Sequence, residues 1–122
     1  MISILTSIKK MLGIAEDYKH FDMDLIMHIN SVFLVLTQLG VGPEEGFAIQ
    51  DETTLWSDFI PEDAKLEAVK TYMYLKVKLI FDPPLGGATR DALVSVINEW
   101  EFRLKTAVES SQSSSKEVIQ NG

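Results

Sequence analysis

His20, Asp22, Asp24 and His28 are close together in the chain and are residue types that bind divalent metals. If a helix starts near Asp22, only Asp24 and His28 share one of its faces. Two ligands do not make a site, which needs three or four converging groups. Asp22 is better placed to cap that helix, so no metal is expected. The chain has no cysteine, which removes disulfides, thiolate ligands and thiol nucleophiles. No Ser-His-Asp arrangement is suggested. Gly40-Val41-Gly42-Pro43 lacks the Gly-Lys-Ser/Thr of a phosphate loop, and its proline removes a backbone donor. The chain therefore reads as non-enzymatic and without a cofactor.

Charge is the other chemistry on offer. Lys65, Lys70, Lys76 and Lys78 punctuate an apolar helical stretch, while Glu44, Glu45, Asp51, Glu52 and Asp58 share a segment with no Lys or Arg. The formal net charge is −7 at pH 7. Nucleic-acid affinity rests on Lys and Arg neutralising phosphates, so an acidic chain is a poor phosphate binder. The lysines read first as solvated edges whose stems cover apolar surface. They also suit an acidic patch on a neighbouring copy, such as the one Glu44 and Glu45 belong to, in a head-to-tail ring.

The chain has 122 residues, a usual size for one domain, and apolar residues make up 46 % of it, enough for a core. The amino terminus is not ordered like a secretion signal, and the longest apolar run, Val32 to Leu36, is too short to cross a bilayer. A soluble protein is expected. Four helices are predicted, over Ser3–Leu12, Met23–Leu39, Pro61–Phe81 and Thr89–Glu109, with Gly13 and Gly40 as stops. Asp22 is the expected N-cap of the second, with Phe21 and Ile26 as its staple. Pro61 suits the first turn of the third, and Pro83-Pro84 ends it.

Apolar faces follow from spacing. The second helix should bury Leu25, Ile26, Ile29, Val32, Phe33, Leu36 and Leu39. It is apolar enough to be either the central element or partly covered by a neighbouring subunit. In the third, Val69, Tyr72, Met73, Lys76 and Ile80 trace one face. In the fourth, Leu93, Val96, Ile97, Trp100 and Leu104 form a stripe. Gly40 to Ile60 is a long acidic loop, with Phe47-Ala48-Ile49 and Thr53-Thr54-Leu55-Trp56 as short extended pieces and Trp56 and Phe59 as core plugs. Residues 1–109 form one helical domain, and the Ser-rich residues 110–122 a flexible, disordered tail. The fold class is all-α, a small bundle of about four helices.

Three segments carry a resemblance: Ile26-Met27-His28-Ile29-Asn30-Ser31-Val32, the stretch Leu39 to Phe47, and Tyr72-Met73-Tyr74-Leu75-Lys76-Val77-Lys78-Leu79-Ile80-Phe81-Asp82-Pro83-Pro84. In that order, with a Trp-containing last helix, the chain resembles the phage head–tail connector (DNA-packaging adaptor) family from about Ser3 to Glu109. No single motif is a chemical fingerprint; the ordered set carries the likeness. It implies a structural subunit that assembles into a ring of about twelve copies, matching the portal's symmetry. The ring sits beneath the portal protein, extends the DNA channel and bridges to the next head-completion, stopper or tail neck protein. The implied location is the virion neck, reached from the host bacterial cytoplasm during assembly, without a membrane. The family's carboxy-terminal segment engages the portal, which would make Val118 and Ile119 the tail's apolar anchors.

Met27, Leu34, Tyr74 and Leu75 fall off the main stripes and are interface candidates. Phe102 joins them because it lies on the polar face of the last helix. Glu44 and Glu45 with Lys70, Lys76 and Lys78 complete the set. The competing reading is an acidic inhibitory module that occupies a basic partner site. It would need carboxylates along rigid helix faces rather than in a loop. A small DNA-binding regulator is disfavoured by charge and by the lack of a basic recognition helix.

Overall fold

The computed structural model describes the backbone of residues 2–121 and the side chains of residues 2–111. It is all-helical: α1 (Ile4–Leu12), α2 (Asp22–Gln38), a single 3-10 turn (Trp56–Asp58), α3 (Ala64–Phe81) and α4 (Gly87–Asn121). α3 is the central element and packs against α1, α2 and α4.

The cap chemistry sets the boundaries. Ser3 caps α1, its hydroxyl accepting from the Thr6 N–H, and Gly13 closes that helix at φ 79 in the left-handed region. α2 departs from expectation. Its N-cap is Phe21, which makes no side-chain cap bond, and Asp22 is already inside the first turn. Asp22 points instead at Lys9, whose Nζ lies 2.9 Å from Asp22 Oδ1. α3 also starts later than expected. Pro61 precedes it, and Asp63 caps it by accepting from the N–H groups of Lys65 and Leu66. An aspartate carboxylate that satisfies two orphan donors outcompetes a proline that merely tolerates the first turn.

α3 buries Leu66, Val69, Tyr72, Met73 and Val77. Ile80, expected on that face, is 53 % exposed because the core-facing stripe drifts off it by the last turn. On α4, Ile97, Leu104 and Val108 are buried, while Val96 is exposed rather than part of the packed stripe. α4 also runs past the expected stop at Glu109, to Asn121.

The long loop from Gly40 to Ile60 is fastened to the helices along its length. Val41, Ile49, Trp56 and Phe59 are buried in the core. Asn30 on α2 donates to the Ile49 carbonyl (3.0 Å) and accepts from the Ile49 N–H (2.8 Å). The Ile4 N–H donates to the Thr54 carbonyl, Ser3 and Leu55 form one isolated antiparallel bridge, and Trp56 Nε1 donates to Ser7 Oγ. The extended piece expected at Phe47–Ile49 forms no strand. At Gly42 (φ 88) an added Cβ would run into the Phe59 ring, so only glycine lets the loop pass it.

The side chain of Lys9 is almost fully buried, yet its ammonium is compensated: it donates to the Glu16 carbonyl (2.9 Å) and the Tyr18 carbonyl (2.7 Å), and its charge is paired with Asp22. Removing one partner of such a pair leaves an uncompensated charge, at a cost of about 3–5 kcal/mol. Lys9→Ala should therefore lower unfolding free energy in urea by about 3 kcal/mol. Lys10→Ala, at an exposed neighbour, should stay within about 0.5 kcal/mol of wild type. Equal effects of the two substitutions would show that the buried ammonium does not hold the turn.

Candidate assembly surfaces

Three surfaces carry the apolar interface candidates among the described residues. The outer face of α2 exposes Met23 (82 %), Met27 (67 %) and Leu34 (61 %). These residues follow each other at helical spacing, on the side of α2 turned away from Leu25, Ile29, Val32 and Leu36. α2 contains no Lys or Arg, and Asp24 stands exposed beside Met23 and Met27.

The second surface is the seam between α3 and α4. At one end Tyr74, Leu75, Lys78, Pro84, Thr89, Ala92, Leu93 and Val96 line a hollow of about 350 Å³. At the other, Ala64, Lys65, Ala68, Trp100, Arg103, Leu104, Ala107 and Ser111 line one of about 340 Å³. Tyr74 and Leu75 are half-buried there. The third surface is a shallow crevice lined by Leu39, Asn98, Glu101, Phe102 and Lys105, at which Phe102 stands 69 % exposed.

The predicted charges divide between internal and external use. Lys70 Nζ lies 5.9 Å from the Trp56 ring centroid and 3.6 Å from Glu67 Oε1, so it is spent within the subunit. Lys76 lies over the Tyr72 ring at 5.8 Å, and Lys78 faces Asp82 at 3.5 Å. In the loop, Asp58 accepts from the Leu55 N–H, Asp51 from the Thr53 N–H and hydroxyl, and Glu52 faces Lys19 at 3.8 Å. Bonds from Thr53 hold the Asp51 carboxyl below its usual range. Glu44 and Glu45 remain exposed at the loop's start. Val118 and Ile119 fall outside the residues whose side chains are described.

Spacing in the sequence gave no sign of the link between Tyr72 and α4. The Tyr72 hydroxyl donates to Glu101 Oε2 at 2.9 Å, joining the central helix to the last one. His20, Asp22, Asp24 and His28 do not converge: among the described residues no group of three or more His, Asp or Glu could hold a metal. Among them, too, no helix is long and apolar enough to cross a membrane.

The family model described as "Phage connector protein" matches residues 4–111, from the first residue of α1 into α4. No curated protein and no solved structure matches the chain.

Burial pushes the Tyr72 hydroxyl well above its ordinary pKa of 10.0, and the hydrogen bond and charge of Glu101 push the same way. The neutral form is thus favoured in the folded state. Below pH 10 both states are protonated and the contribution is complete. Above it the unfolded chain loses the proton first, so stability falls as pH rises. Urea midpoints compared between pH 8 and pH 11 should drop more for wild type than for Tyr72→Phe. Parallel curves would mean that the hydroxyl does not carry the link.

Proposed function

The chain belongs to the phage connector protein family, and we propose that it is the neck subunit that forms a ring of about twelve copies under the portal. Its role is a structural one of the connector type. The family match over residues 4–111, nearly the whole helical body, carries this reading. In this role the ring extends the DNA channel and joins the capsid to the next head-completion or tail protein in the virion neck.

Two features of the molecule support it. The core is complete without Met23, Met27, Leu34 and Phe102, which leaves large apolar side chains in water on a small domain. Clusters of exposed apolar residues mark interaction surfaces. The net charge of −7 also disfavours gripping phosphate, as suits a channel through which DNA slides. Residues 110–122 engage the portal, with Val118 and Ile119 as the apolar contacts.

Light scattering over a concentration series, with negative-stain images of the peak fractions, tests the ring. Closed rings are expected from the isolated chain or on addition of the portal; failure to form them in both conditions would defeat the reading. Deleting residues 110–122 should abolish portal association while leaving the helical signal and urea midpoint of the body in place. Normal association after truncation would remove the tail from the interface.

A further inference from the structure

The two hollows lie one after the other along the groove between α3 and α4. On α3 their walls step through Ala64, Ala68, Leu75 and Lys78, spacings that keep to one helix face. On α4 they step through Leu93, Val96, Trp100 and Ala107, again along one face. The helices run antiparallel through the Pro83-Pro84 turn, so these two stripes face each other along the seam. From Ala64 to Lys78 the groove extends about 21 Å. Its alanines allow the backbone of a docked helix to come close.

Resting on the ring reading above, we propose that this groove receives the outer face of α2 from a second copy of the chain. Met23, Met27 and Leu34 form an apolar ridge about 16 Å long, which fits within the groove. Charge selects this occupant. The groove is rimmed by bases at both ends, Lys65 with Arg103 at one and Lys78 at the other. The α2 ridge carries acids toward both ends, Asp24 beside Met23 and Glu44 with Glu45 in the loop that follows Leu34.

The two-acid end therefore meets Lys65 and Arg103, and Asp24 meets Lys78. The present partners of these bases, Glu99 on Arg103 and Asp82 on Lys78, are exposed and hold weakly, so exchanging them costs little. Ridge and groove share no residue, so one copy can give with one and receive with the other. That makes a head-to-tail contact.

Two variants at exposed positions test it. Met27→Glu spoils the ridge and leaves the groove; Val96→Glu spoils the groove and leaves the ridge. Circular dichroism and urea midpoints should match wild type for both. In light scattering each variant alone should be monomeric at concentrations where wild type assembles, whereas an equimolar mixture should give a species of two chains. Asp24→Lys should weaken wild-type assembly at least tenfold, and adding Lys78→Glu should restore it.

If either glutamate variant assembles like wild type, or if the mixture stays monomeric, the groove contact is overturned while the ring reading stands. A wild type that is monomeric at every concentration also overturns the contact, and the ring reading then depends on assembly with the portal. A two-chain species from the mixture, with no closed rings from wild type alone or with the portal, would keep the contact and defeat the ring.

Discussion

Phe33 lies 4.8 Å from Phe59, 5.0 Å from Phe47 and 6.3 Å from Trp56, ring centroid to centroid, and three of those four rings, Phe47, Trp56 and Phe59, come from the connection between α2 and α3 rather than from facing helices. Phe47 in turn packs on Phe59 at 5.1 Å. A domain of this size has too few helix faces to enclose a core, so the connection between α2 and α3 supplies the missing side chains. A loop brought inward carries its peptide groups with it, and buried peptide groups must find partners. Asn30 satisfies both groups of Ile49, α1 takes the Thr54 carbonyl, and Ser7 accepts from the Trp56 indole. The order of the loop is therefore a consequence of the ring cluster, not a property of its Gly-, Pro- and Asp-rich composition.

Lys9 solves the same problem at the other turn. Residues Gly13 to Phe21 reverse the chain between α1 and α2 and leave carbonyls pointing inward. One ammonium collects two of them together with the Asp22 carboxylate. No well-aligned hydrogen bond reaches Asp22 Oδ1, so its compensation is the charge of Lys9 itself. The arrangement is specific because an ammonium on a flexible stem can donate to both carbonyls while its charge faces the carboxylate. Phe21, set by that turn, then stacks edge-on to Phe81 at 5.2 Å and ties the end of α3 to the beginning of α2.

These contacts mark where reading the chain by itself succeeded. The number of helices, the stops at Gly13 and Gly40, the double-proline break and the burial of Trp56 and Phe59 depend on neighbours within a few residues or on hydrophobicity alone. The misassigned positions are those where a distant partner intervenes or where two local signals compete. Asp22 fits a cap by local rules, but Lys9, many residues earlier, draws it into an ion pair. Pro61 yields to Asp63 because cap energy depends on which carboxylate reaches the N–H groups. Ile80 and Val96 follow the spacing of their stripes, yet both side chains are left exposed, Val96 directly beside the buried Ile97. The seam groove has no signature in either helix; it exists only once the stripes of α3 and α4 lie side by side.

The acidic segment shows what such a pattern can hide. Asp51 and Asp58 shape the turns of the loop and Glu52 faces Lys19, so three of its carboxylates serve the fold. Only Glu44 and Glu45 stand free of those turns, close to the end of α2. That is a poor basis for imitating the regular charge of a nucleic acid, which needs carboxylates held along a rigid face, and the competing inhibitory reading loses its main support. What the fold leaves unsatisfied is instead asymmetric: an acid-flanked apolar ridge on α2 and a base-rimmed groove on α3 and α4. Two identical faces would close a dimer and stop. In the proposed contact two different faces would leave one of each open after every step, and growth would end only where the chain of subunits met its own beginning.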